Sequence, residues 1–169
     1  MTFKAVGPWV GMQGLDQTTT TQQHPLGSKV VAIDDNPAAS NKGEGEFIYL
    51  KGIASTVVGS LVDYDVMLGT TALSPATAGI GPVAVAMSAN VANQYGWYQV
   101  RGSAAVKAPN AAVVGADVFM LAATPGSVDD AVVASEQILN AKFSTTTGTP
   151  SSGLAVIQIS YPFHQGAIT

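Results

Sequence analysis

Apolar residues fall in short runs along this chain, separated by clusters of Gly, Pro, Asn, Asp, Ser and Thr. Runs this short and this regularly interrupted belong to strands, because a globular helix needs a longer stretch with a 3.6-residue period. Lys29-Val30-Val31-Ala32-Ile33 opens the first clear strand. Phe47-Ile48-Tyr49-Leu50, apolar at every position between Gly45 and Gly52, predicts a buried strand. Leu61 to Leu68 alternates Asp63 and Asp65 with Tyr64, and Val83 to Met87 follows as the next strand.

The second half is more regular. Gly96 to Gly102 (GWYQVRG) puts Tyr98 and Val100 on one face and Gln99 and Arg101 on the other. Gly102 predicts a bulge or bend before Ala105-Val106-Lys107. Gly115 to Leu121 reads as a strand, and Thr124-Pro125-Gly126-Ser127 as a type II turn, with Pro presetting φ and Gly supplying φ > 0. Ser127-Val128-Asp129 is the short return strand. Leu154 to Tyr161 sets Ala155, Ile157, Ile159 and Tyr161 on one face, with Pro162 as its stop. Ala131 to Leu139 is the one segment that admits a helix, and its valines suit a strand equally well.

About eight short strands with regular turn signals, and no strong amphipathic helix, predict an all-β fold, an antiparallel β-sandwich or β-barrel. Residues 1–28 carry no such pattern. Their threonine tract, Thr18 to Thr21, and the run Gln22-Gln23-His24-Pro25 predict an extended N-terminal arm before a single β domain spanning residues 29–169. Phe3, Trp9 and Met12 are the apolar anchors of that arm.

Charge narrows the function. Only 11% of the residues are charged, against roughly 25% in an ordinary soluble domain. A surface so poor in charge suits a chain that hides part of itself against partners. The net charge of −4 and the scattered Lys and Arg residues argue against nucleic acid as a partner. No apolar run approaches the roughly 20 residues of a membrane helix, so no membrane partner is expected. Met1-Thr2-Phe3-Lys4 lacks the apolar core of a signal peptide, which predicts synthesis in a cytoplasm. With no cysteine, thiol-based zinc, redox and disulfide chemistry are excluded.

Candidate chemistry is thin. His24 and His164 lie near opposite ends of the chain, in no short-range ligand pair. No Gly-x-Ser-x-Gly elbow occurs. The carboxylate pairs are Asp34-Asp35, Glu44 with Glu46, Asp63 with Asp65, and Asp129-Asp130. They have neither calcium-loop spacing nor a sequence-readable cleft. The Gly43-Glu44-Gly45 and Gly79-Ile80-Gly81 pieces lack the lysine and helix of a phosphate loop. No enzymatic activity, catalytic residue, metal or cofactor is expected. Trp9 and Trp97 suit core or interface anchoring better than sugar stacking.

A resemblance points further. Gly96-Trp97-Tyr98-Gln99-Val100-Arg101-Gly102 with Ala104-Ala105-Val106, then Gly115-Ala116-Asp117-Val118-Phe119, Pro125-Gly126-Ser127-Val128 and Gly153 to Ile159 (GLAVIQI) resemble the head-decoration, or cement, proteins of tailed bacteriophages. The likeness covers roughly residues 80 to 161. It departs at Ile138-Leu139-Asn140-Ala141, where that family often has a glycine, and the N-terminal portion is additional. The resemblance implies a structural protein on the exterior of a virion, clamping junctions between major capsid protein subunits, with self-association into a homotrimer. Phe3, Trp9, Met12 and Trp97 are then the candidate interface residues. A phage tail, head-fibre or receptor-binding component is the alternative, followed by a carbohydrate-binding module and a small glycan hydrolase.

Overall fold

A computed structural model of the chain describes residues 3–6, 11–34, 43–77, 79–122 and 124–166. Their strands are β1 (Phe3–Ala5), β2 (Lys29–Asp34), β3 (Gly43–Lys51), β4 (Leu61–Tyr64), β5 (Thr71–Leu73), β6 (Val83–Ala86), β7 (Tyr95–Lys107), β8 (Asp117–Met120), β9 (Val128–Asp129), β10 (Gln137–Phe143) and β11 (Leu154–His164). The chain is all-β, with 46% of it in strands, and forms one large antiparallel sheet that does not close into a barrel. Hydrogen bonding runs β1-β2-β3-β7-β11-β10-β8-β9, and a branch leaves β7 through β6 to β4 and β5.

The order follows from β7, whose apolar content lets it be buried along almost its whole length. Its first half pairs with β3, placing Tyr49 opposite Trp97 and Ile48 opposite Tyr98. Its second half pairs with β11, from Leu154 opposite Lys107 to Ser160 opposite Arg101. The switch between halves falls at Gly102, where φ is +99° and a Cβ would stand 2.4 Å from the Glu44 carbonyl oxygen. Only glycine fits so close a backbone approach at that φ. The β3–β7 register skips Val100, between Glu46 opposite Arg101 and Phe47 opposite Gln99, so the irregularity lies two residues before Gly102, and the β7–β11 register from Gly102 to Lys107 runs unbroken.

Three apolar clusters result. Ile48 and Leu50 of β3, Val62 of β4, Ala84 and Ala86 of β6, and Tyr98 and Val100 of β7 pack on one face of the β3–β7 pair. Phe47, Tyr49 and Trp97 pack on the opposite face with Leu15, Val30, Ala32 and Met87. Coverage on both faces explains why Phe47 to Leu50 are all apolar. The third and largest cluster joins Leu61, Val83 and Val85 to Ala104 and Val106 of β7, with β8, β10 and β11 contributing Val118, Ile138, Phe143 and Ile157.

Several expectations change. Three strands go beyond the eight legible ones: β1 and β5, of three residues each and too short to show a period, and β10, which begins within the segment that admitted a helix. β9 is the expected return strand at Ser127 to Asp129. The strand expected over Leu61 to Leu68 stops at Tyr64 and turns. Ala131 to Leu139 contains no helix; it turns until β10 begins at Gln137. Pro162 does not end β11, which runs on to His164. The β10–β11 register shifts between Leu139 and Ala141, and the proline stands opposite that irregularity, where the ladder asks for no N–H. Tyr161 has φ +50° and turns outward instead of joining Ala155, Ile157 and Ile159. The type II turn is in place, with Gly126 at φ +72° and Ser127 N donating to the Thr124 carbonyl at 3.2 Å.

Candidate interaction surface

The groups that could carry chemistry are bound into the scaffold. Asp63 Oδ1 accepts from Ser74 Oγ at 2.5 Å and lies 2.8 Å from His164 Nε2. The His164 side chain is fully buried, and Gly79 lies so close over its ring that a Cβ there would come within 2.3 Å. Serine, aspartate and histidine therefore meet, but the serine hydroxyl is spent on the carboxylate, not aligned on the imidazole as a nucleophile requires. The trio ties β4, the segment after β5 and the end of β11 together.

His24 enters a different cluster. Its Nε2 accepts from Gln13 N at 3.3 Å, and its ring lies 5.1 Å from Tyr49 and 5.4 Å from Trp97. The remaining carboxylates also have partners. Glu44 pairs with Arg101 at 3.5 Å and Glu46 with Lys29 at 3.4 Å. Glu46 Oε2 accepts from the Tyr161 hydroxyl at 2.5 Å, a hydrogen bond that raises the tyrosine's pKa. The Lys29 ammonium stands 4.6 Å from the centre of the Tyr161 ring. Asp129 accepts from Asn110 Nδ2 and from its neighbour's backbone N–H, each at 2.7 Å. Burial works to raise its pKa, but these hydrogen bonds win and hold it below the ordinary value. Asp130 Oδ2 accepts from Val113 N at 2.9 Å. Asp35 lies outside the described residues. Among the described residues no three His, Asp or Glu side chains converge to hold a metal ion.

The expected interface anchors mostly point inward. Trp97 is fully buried and its indole N–H donates to the Gln13 carbonyl at 3.2 Å, so it belongs to the core and offers a partner nothing. Phe3 is half-buried, edge-on to Phe47 with ring centres 4.9 Å apart, and Met12 is half-buried against the same aromatic cluster. Trp9 lies outside the described residues. The described part of the N-terminal arm is laid on its own domain. Phe3 to Ala5 pair with β2, and residues 11–28 cover the Tyr49–Trp97 face.

Gln13 holds that cover down. Its Nε2 donates to the carbonyls of Gln17 (2.7 Å) and Tyr95 (3.2 Å), while its Oε1 accepts from the Tyr49 hydroxyl at 3.0 Å. Thr19 closes the edge through paired backbone hydrogen bonds with Tyr95.

The outward-facing apolar side chains lie elsewhere. Val66, Met67 and Leu68 are 71%, 89% and 66% exposed, and Ile80 is 78% exposed. They stand on a built turn. Asp65 Oδ1 accepts from Met67 N (2.7 Å) and Leu68 N (3.0 Å), and Gly69 N donates to the Asp65 carbonyl at 2.8 Å. A shallow open groove beside the turn is lined by Tyr64, Val66, Ile80 and Pro82. Pro82 bridges to Phe163 of β11, itself 42% exposed. Val113, Val114 and Val132 form a second exposed group, on the loops either side of β8 and β9. Asp65 followed by three apolar residues and Gly69 was the available signal for the first site, an acid-capped turn carrying an apolar tip.

No protein-family model matches the chain, and no curated protein matches it in sequence.

Proposed function

We propose that the chain is a non-enzymatic structural protein of a phage virion, which binds the outside of an icosahedral shell and stabilises junctions between major capsid subunits. One observation carries the reading. A chain with seven basic and eleven acidic residues in 169 presents bare aliphatic side chains on a preformed turn, while its described carboxylates are largely tied into internal bonds. A surface of that kind is suited to protein contact. The resemblance of residues 80 to 161 to head-decoration proteins supplies the setting.

The physics suits the role. A shell holding a packaged genome fails at subunit junctions, and a clamp across a junction raises the cost of opening it. A standard interface buries about 1,600 Å² in total, and repetition around a lattice multiplies its effect. Self-association as a homotrimer matches attachment at three-fold positions and closes the assembly against open-ended growth.

Co-sedimentation of the purified protein with shells that lack it tests the proposal, by counting bound copies per shell. A saturable count equal to the number of three-fold and quasi-three-fold sites is expected. A few copies at a unique vertex moves the protein to the tail or fibre, and no binding overturns the proposal.

A further inference from the structure

We propose that an open groove crossing β7, β10 and β11 binds a neutral saccharide. The site is separate from the Val66 to Leu68 turn and stands independently of the virion role.

Both ladders of β10 break at the same place. Against β8 the register jumps from Ile138 opposite Val118 to Lys142 opposite Asp117. Against β11 it jumps from Leu139 opposite Phe163 to Ala141 opposite Ile159. Asn140, at φ +60°, falls within both breaks. Bulges re-aim side chains and are built features of a sheet rather than defects. A groove of about 550 Å³ lies over this one, a volume within the range of small-ligand sites.

The wall of the groove selects its occupant. Its charged side chains cancel in two pairs, Arg101 with Glu44 at 3.5 Å and Lys142 with Asp117 at 2.7 Å. An anion or a cation would find each opposite charge already matched, so the lining favours a neutral ligand. Hydrogen-bonding capacity is left over. Gln137, Asn140 and Ser160 line the groove and make no side-chain hydrogen bond among the described residues. Gln158 accepts from Ser103 Oγ at 2.9 Å through Oε1, which leaves its Nε2 to donate. Amides and hydroxyls both donate and accept, as the hydroxyls of a sugar do. Position argues against a peptide strand. β10 and β11 are interior strands, flanked by β8 and β7, and strand addition needs a free edge. The ligand is therefore read by side chains on the face of the sheet. Tyr161 follows Ser160, is 42% exposed, and stands close enough to Arg101 to feel its charge. Glu46 holds its hydroxyl and Lys29 lies over its ring, so a fixed aromatic surface is offered to the C–H face of a pyranose.

The test titrates the isotope-labelled full chain with neutral oligosaccharides of glucose, galactose, mannose and N-acetylglucosamine, followed by NMR. A sulfated oligosaccharide and a Ser/Thr-rich peptide serve as contrasts, each probe reaching roughly 10 mM so that millimolar binding is visible. Saturable shifts of the side-chain amides of Gln137, Asn140 and Gln158 with at least one neutral sugar are the expected result. Asn140→Gly, which keeps the backbone conformation, and Gln158→Ala should each weaken that binding about tenfold, with Met67→Ala unchanged. Each variant is compared after its thermal melt is shown to match wild type. No saturable shift with any neutral sugar, shifts confined to residues outside the groove, or binding that survives both groove substitutions overturns the proposal. Binding of the sulfated sugar or the peptide alone overturns the ligand class and with it the proposal.

Discussion

The two halves of β7 lie in one strand and are stabilised in different ways. From Ala104 to Lys107 the strand pairs with β11 and packs small aliphatic side chains against Leu61, Val83, Ile138 and Ile157. Many residues share the packing. From Tyr95 to Val100 the strand carries Trp97 and Tyr98, and one face is covered by irregular chain held through Gln13. Apolar surface is removed from water in both halves. The first relies on area spread over many contacts, the second on a few large rings and a polar latch. Distributed packing tolerates single changes, and concentrated packing does not.

The largest break in this contrast is expected at Trp97. Trp97→Ala removes the floor on which residues 11–28 lie, and should cost about 3–5 kcal/mol in urea unfolding. Ile157→Val in the aliphatic half should cost about 0.5–1.5 kcal/mol. Equal losses would show that the two halves are not differently built.

Next comes alkaline pH. Burial pushes the Tyr98 hydroxyl up to about 12, against smaller opposing effects of Thr71 and Asn90. The unfolded chain releases this proton near its ordinary value of 10.0, before the folded chain does. The associated stability is thus complete below pH 10 and lost as pH rises towards 12, by up to about 3 kcal/mol. Tyr98→Phe should flatten that part of the stability curve, and an unchanged slope would place the alkaline loss elsewhere.

The most local effect is expected at the latch. Gln13→Ala removes one hydrogen bond from the Tyr49 hydroxyl and one from the Tyr95 carbonyl, which keep those from Gln23 N and Thr19 N, at about 1–3 kcal/mol in all. Hydrogen exchange should quicken at the amides of Thr19 and Tyr95, and remain slow at Lys107, whose amide is bound to the Gly59 carbonyl. Uniform acceleration would mean that the cover and the aliphatic half open as one unit.

The same contrast governs what could be read in the sequence. Phe47 to Leu50, Trp97 to Arg101 and Leu154 to Ile159 were legible because burial on a pleated strand imposes a period or an unbroken apolar run. The N-terminal cover was not. Gln13 finds its partners 82 and 84 residues away, at Tyr95 and Trp97, and hydrogen bonds of that reach leave no local pattern. The same absence of period read as an extended arm. The tip was hidden for the opposite reason, since Leu61 to Leu68 alternates well enough to pass as one strand and only Asp65 and Gly69 mark the turn. Pro162 misled because a ladder irregularity removes the usual objection to proline within a strand.

The sheet's ends carry a last consequence. Its path finishes on β1 and β9, and its branch on β5, strands of three, two and three residues. Each offers an incoming backbone only a few hydrogen-bonding positions, too few to template a growing fibril. For a chain with so little charge to keep copies apart, edges this short among the described residues work against edge-to-edge pairing.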